Sequence, residues 1–141
     1  QIELDSTLNR GSGEFTVIGM TWELGDVKLS GDCFNAMDTL VLFLTSHPGL
    51  VLEIQVHSGR TSPKLSTDLS QRRAETLRNM LVHRSICSTR LVPIGKAATE
   101  PRVSQETIDQ ERDPRLREEM KQMNRRVVFH VLATDHREAC P

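Results

Sequence analysis

The chain has 141 residues, of which 37% are apolar and 26% charged, a composition that fits a globular domain and lies outside the range of disordered chains. Eighteen Lys and Arg against nineteen Asp and Glu leave a formal net charge of −1, so no basic excess holds a polyanion by counterion release, and nucleic-acid binding is not expected. No apolar run approaches the ~20 residues of a membrane span, and with 4% aromatics, no Tyr and the single Trp22, a ring-stacking platform for bases or sugars has little to build on.

Gln1 is followed by no charged-then-apolar leader, as expected of a mature or excised domain. Residues 1–13, with Asn9-Arg10-Gly11-Ser12-Gly13, read as a turn-rich lead-in, residues 14–134 as the domain and 135–141 as a tail. Phe15 to Trp22 is rich in β-branched and aromatic residues and reads as a strand, interrupted at Gly25-Asp26. Asp32 reads as the N-cap of a helix that buries Met37, Leu40, Val41 and Leu44 and stops before Pro48-Gly49. Leu50 to Val56 alternates with period two, placing Leu50, Leu52, Ile54 and Val56 on one side of a strand. His57 to Thr67 then reads as a polar loop. Ser70 is the expected cap of a second helix, with Arg73, Leu77, Met80, Leu81 and Arg84 near one stripe and Arg72, Glu75 and Arg78 turned elsewhere.

Ile86-Cys87-Ser88 reads as a turn, Leu91 to Ile94 as a short third strand and Gly95 to Ser104 as a loop. Glu106 to Met123 is helix-prone, broken at Asp113-Pro114, and charged enough to be a solvated face. Val127 to Leu132 is apolar enough to be a strand buried on both sides. No internal repeat is present. The order β-α-β-α-β-(α)-β predicts an α+β domain with helices packed on one face of a sheet.

Cys33, Cys87 and Cys140 show no CxxC or Cys/His spacing, which allows at most one internal disulfide and one spare thiol. His57, His83, His130 and His136 are scattered and read as surface or half-buried imidazoles, so neither a metal nor a cofactor is expected. His57-Ser58 does not make a base and nucleophile, because adjacent residues of an extended chain point apart and no Gly-x-Ser-x-Gly elbow is present. Cys87 near His83 lacks a third orienting group. No catalytic residue is expected, and the chain reads as a binding domain rather than an enzyme.

An arginine on the apolar stripe of a helix needs acceptors for its buried donors. Arg73 is that residue. With Ser70 as cap it falls in the first turn, where backbone N–H groups add positive potential, so Arg73 and the helix N-terminus together make a carboxylate pocket at the mouth of the 57–67 loop. The competing reading is an internal salt bridge from Arg73 to Glu53 or Asp68. Arg125-Arg126 begin the last strand, and alternation sends one guanidinium to each face, so one of them can join the pocket.

The stretches Pro48-Gly49-Leu50-Val51-Leu52-Glu53-Ile54-Gln55-Val56-His57-Ser58 and Leu69-Ser70-Gln71-Arg72-Arg73-Ala74-Glu75-Thr76-Leu77 are followed by Ile86 to Leu91, Gly95, Pro101 and Asn124-Arg125-Arg126-Val127. In order and spacing, over roughly Phe15 to Leu132, they resemble the OmpA-like C-terminal domain, which anchors bacterial envelope proteins to peptidoglycan. The resemblance implies a mixed four-stranded sheet and non-covalent binding of the diaminopimelate end of the stem peptide. The arginine of the Leu-Ser-x-x-Arg-Ala motif, Arg73 here, takes the carboxylate, and the first arginine of Asn-Arg-Arg, Arg125, lines the site. The implied site also includes Ser58, Gly59, Thr61, Leu69 and the loop Glu23, Leu24, Gly25 and Asp26. The implied setting is the periplasm of a diderm bacterium, at the outer membrane, with other envelope proteins as partners through upstream domains.

Two positions depart from the family pattern. The aspartate that pairs with the ligand ammonium is replaced by Gly59, and Ser66 stands where the family has an asparagine. Loss of a charged partner in a semi-enclosed site costs about 2–5 kcal/mol. Either Asp26 or Glu23 supplies the missing carboxylate, or the pocket no longer binds peptidoglycan and the domain is a protein-interaction module docking through the charged segment Asp109–Arg126. In the implied compartment Cys33 is oxidisable with Cys87 or Cys140, and the sequence does not choose a pairing.

Overall fold

The computed structural model describes residues 2–4, 13–17, 20, 22, 29, 33–58, 63–97, 99 and 101–140. Five strands, β1 (Ile2–Leu4), β2 (Gly13–Val17), β3 (Val51–Ser58), β4 (Leu91–Ala97) and β5 (Arg125–Ala133), lie in the order β1-β2-β5-β3-β4. Four helices intervene: α1 (Cys33–Ser46), α2 (Pro63–His83), α3 (Gln105–Gln110) and α4 (Pro114–Asn124). The four expected strands are β2 to β5, and β3 pairs with β4 in parallel while the other pairings are antiparallel, so the sheet is mixed. β1 adds a fifth strand outside β2, with Ile2 opposite Val17 and Leu4 opposite Phe15. Three residues are too few for periodicity to reveal, which is why that segment reads only as a lead-in.

Alternation along the strands builds the core. Leu52, Ile54 and Val56 of β3 and Phe129 of β5 are wholly buried with Leu40 and Leu44 of α1 and Leu77 and Leu81 of α2. Phe15 stacks on Phe129 at 5.3 Å between centroids and meets Phe43 edge-on at 5.1 Å. Central β5 buries Val127, Val128, Phe129 and Val131, as its continuous apolar run predicts. The other face of the sheet carries Glu53, Gln55 and His57 opposite His130, Val128 and Arg126, and Gln55 Nε2 donates to Glu53 Oε1 at 2.7 Å.

The structure corrects several boundaries. β3 runs to Ser58, so His57 is a strand residue and is 3% exposed. Helix α2 begins at Pro63, a residue suited to a first helical position because it lacks the N–H that would go unbonded there. Ser70 is therefore interior to the helix and not its cap. β4 continues through Gly95 to Ala97 instead of ending at Ile94. Trp22 lies beyond β2 and forms an isolated bridge with Leu29. Arg84 falls after the last helical residue, exposed and paired with Asp38 at 2.7 Å, because Ser85 takes a left-handed φ of 72°. Ser85 N–H then donates to the Val82 carbonyl and Ile86 N–H to that of Leu81, the bonding pattern that closes a helix. Asp32 lies outside the described residues.

Cys87 bonds to Cys140 with a Cα separation of 5.3 Å, which settles the pairing against any disulfide of Cys33. Cys33 opens α1 inside the core, 3% exposed, while Cys87 and Cys140 sit in the surface turn after α2 and in the tail. The expected break at Asp113-Pro114 holds: Asp113 caps α4 by accepting from Arg115 N–H at 2.9 Å, Pro114 follows, and α4 buries no residue.

Candidate functional site

The parallel strands β3 and β4 need a crossover, and α2 supplies it, returning from the carboxyl end of β3 toward the start of β4. Its amino-terminal half is bolted to the free edge of β4. Ser70 Oγ accepts from Ala97 N–H at 3.1 Å and donates to the Thr67 carbonyl at 3.1 Å. The Gln71 side-chain amide accepts from Gly95 N–H at 2.8 Å and donates to the Pro93 carbonyl at 3.3 Å, filling edge positions that a further strand would otherwise use. The helix and strand approach so closely that a Cβ on Gly95 would lie 2.4 Å from the Gln71 backbone nitrogen.

This clamp fixes Arg73, three residues on. Arg73 is 7% exposed, and its guanidinium carbon lies 5.2 Å from the centre of the Trp22 ring. A desolvated cation on an indole face gains about 2 kcal/mol. Because α2 starts at Pro63, Arg73 stands in the third turn, and the N-terminal N–H groups of the helix do not belong to its surroundings. Glu53 is ruled out as the competing salt-bridge partner, since it points from the sheet face opposite α2 and accepts from Gln55. Asp68 is exposed in the second turn of the helix.

Arg125 begins β5 in register with Ser58 and Arg126 in register with buried His57, yet the pair does not divide cleanly between the two faces as alternation predicts, since both residues border one concavity at the end of the sheet. Arg125 Nη1 lies 3.5 Å from Glu118 Oε1 of α4. Asn124 anchors the preceding connection: its Oδ1 accepts from the backbone N–H of Arg102 and Val103, and its Nδ2 donates to the Val103 carbonyl. Arg125 and Arg126 share a concavity of about 400 Å³ with Met20, Trp22, Gln122 and Val127. Trp22 thus connects Arg73 to the arginine pair.

Arg73, Arg125, Ser58 and Leu69 are brought to the carboxyl ends of the parallel strands, Leu69 one helical turn before Arg73. Gly59, Thr61, Glu23, Leu24, Gly25 and Asp26 lie outside the described residues. Sequence reasoning missed Trp22 as the ring against Arg73, together with Met20 and Gln122, and preferred Arg125 to Arg126 where both border the concavity. The signal available was that the only Trp of the chain immediately precedes the loop already assigned to the site. His57 is buried between neighbouring strands, and Cys87 is held as a disulfide and cannot be a nucleophile. Among the described residues no group of three or more His, Cys, Asp or Glu is placed to hold a metal, and no helix is long and apolar enough to cross a membrane.

A mixed sheet with the β-α-β-α-β-α-β order and helices on one face is the fold of OmpA-like C-terminal domains. Among solved structures, a putative MotB-like protein from Desulfovibrio vulgaris superposes with a TM-score of 0.71 at 16% identity, over 94% of this chain and 80% of that one. The cell wall anchor of the T6SS from Pseudomonas aeruginosa gives 0.68 at 17% identity, over 94% and 87%. The peptidoglycan-associated lipoprotein from Burkholderia pseudomallei gives 0.61 at 16% identity, over 90% and 93%. No protein-family model and no curated protein matches the sequence.

Proposed function

We propose that this domain binds the stem peptide of peptidoglycan without covalent chemistry and so anchors an envelope complex to the cell wall, in the periplasm at the outer membrane. The observation that carries the reading is Arg73, a guanidinium 7% exposed, stacked on Trp22 and clamped at the carboxyl ends of two parallel strands. A cation held this firmly is suited to grip a carboxylate, because its geometry is set before the ligand arrives. The shared fold with a peptidoglycan-associated lipoprotein and a cell wall anchor supports the same reading. The ligand end is diaminopimelate, whose carboxylate pairs with Arg73 and whose ammonium takes Asp26 or Glu23 in place of the aspartate missing at Gly59.

A second reading, a protein-docking module with no wall ligand, is favoured by α4. That helix buries none of its residues and leaves Leu116 39% and Met123 51% exposed within the charged segment Asp109–Arg126. Arg73→Ala separates the two. Under the wall-binding reading the variant keeps its circular dichroism spectrum and stops sedimenting with purified sacculi. Calorimetric titration with a diaminopimelate-terminated stem peptide gives heat for the wild type and none when lysine replaces diaminopimelate. Undiminished sedimentation of a folded Arg73→Ala protein sinks the site assignment and leaves the docking module.

A further inference from the structure

The outer side of the helical layer carries an apolar surface that the wall site proposed above does not use. Of the 14 residues of α1 only Asp38 is charged, and a helix this apolar ordinarily has its outward face covered as well as its inward one. Leu40 and Leu44 are wholly buried in the core, yet Phe34 is left 70% exposed and Leu42 69%. The two stand a little over two turns apart, ~12 Å along the helix, and form an apolar ridge. Beside that ridge, between α1 and α2, lies a hollow of about 510 Å³ lined by Phe34 and Met37 of α1 and by Thr76, Met80 and His83 of α2.

Ridge and hollow are complementary in kind. An apolar helix face seated in a groove is a recurrent mode of recognition, and unbranched side chains such as Met37 and Met80 adapt their shape to an incoming group. Here one surface displays both halves of that contact. The charges about the hollow are balanced as well. Asp38 pairs with Arg84 at 2.7 Å, both side chains well exposed, and Glu75 and Arg78 lie one helical turn apart on α2. A partner of a single charge sign would meet its own sign at such a rim, whereas a second copy turned about a two-fold axis can set each sign opposite the other. We propose that this face of α1 and α2 is a self-association surface, on which the Phe34–Leu42 ridge of each copy lies in the hollow of the other. The contact is isologous, so it occupies both hollows and closes at the dimer. It makes no use of Arg73 or Trp22 and does not depend on the ligand of the domain.

The test is sedimentation velocity of the whole chain. The sedimentation coefficient is expected to rise with concentration between ~10 µM and ~1 mM and to level off at the dimer, the behaviour of a small, weak, closed contact. Phe34→Asp is expected to weaken association by about a hundredfold or more, as the loss of an anchoring aromatic does, so that this variant stays monomeric over the same range. Its circular dichroism spectrum and thermal midpoint are expected to match wild type, because the side chain is exposed. Leu42→Asp, at the other end of the ridge, gives the same loss by a second route. Leu116→Asp, at an exposed leucine of α4, leaves the dimer intact. A wild-type chain that is monomeric at the highest concentration overturns the proposal. A dimer that survives both ridge substitutions, or that Leu116→Asp dissociates, overturns it too, and growth beyond the dimer overturns the two-fold arrangement.

Discussion

Two arginines are buried among the described residues, one bonded to backbone carbonyls and the other, Arg73, the one proposed above to meet the ligand. Arg90 is 6% exposed, with Nε donating to the Leu50 carbonyl at 2.8 Å and Nη2 to those of Leu44 and His47 at 3.0 and 2.7 Å. Burial pushes its pKa below the usual arginine range, and the carbonyls of Leu44 in the last turn of α1 and of His47 and Leu50 just beyond it compensate the desolvated charge. All of that arginine's geometry is spent inside the protein. Arg73 sits on the Trp22 indole, toward the carboxyl ends of β3 and β4. Arg90→Met is therefore expected to cost roughly 2–4 kcal/mol in urea unfolding, since it takes the Arg90 donor from the Leu44 and Leu50 carbonyls and leaves that of His47 with the Leu50 N–H alone. Stem-peptide affinity of the folded variant should stay unchanged. A loss below about 0.5 kcal/mol would show that water satisfies those carbonyls equally well.

At the scale of elements, the site depends on how tightly α2 is set against β4. Gly95 is the contact point, where an added Cβ would meet helix backbone on both Gln71 N and Cα, atoms that cannot swing aside like a side-chain tip. Gly95→Ala is expected to push the helix outward, lower stability by about 1–3 kcal/mol, and weaken peptide binding more than Arg90→Met does. A substitution that leaves both unchanged would mean that α2 moves without disturbing Arg73. The same clamp explains where the sequence was hard to read. Ser70 has the side chain of an N-cap and precedes an apolar stripe, so it reads as a helix start. Its hydroxyl is instead used by Ala97 across the fold, a contact between residues 27 apart that no local pattern displays. The long periodic segments, Leu52-Ile54-Val56, Leu77-Leu81 and Val127 to Val131, were legible because burial imposes the period directly. Arg73 was legible as a misfit on an apolar stripe. Trp22 was not, because its role depends on a loop and a helix meeting in space.

Over the whole molecule, the two ends of the sheet have different tasks. The carboxyl ends of β3 and β4 hold the candidate site, while their amino ends are tied off by the tail after β5. There His136 N–H donates to the Gly49 carbonyl at 3.0 Å, the His136 ring meets Thr89 Oγ1 at 3.1 Å, and Cys140 is bonded to Cys87. Gly49 admits the crossing chain, since a Cβ there would lie 2.2 Å from the Thr134 carbonyl oxygen. The bond spans 53 residues, which include β4, α3, α4 and β5, and closing a loop of that length in the unfolded chain is worth about 4 kcal/mol. The eight residues of β3 hold the disulfide end and the Arg73 end roughly 25 Å apart. Stability and ligand affinity are therefore separable: Cys87→Ser with Cys140→Ser is expected to lower the thermal midpoint by about 10 °C or more. The dissociation constant for the stem peptide, measured well below that midpoint, should stay within about twofold of wild type, as it does for distant sites that share no contacts. A midpoint that does not move would show that the tail's hydrogen bonds alone hold the amino end of the sheet, whereas a large change in affinity would show that the two ends respond to each other through β3.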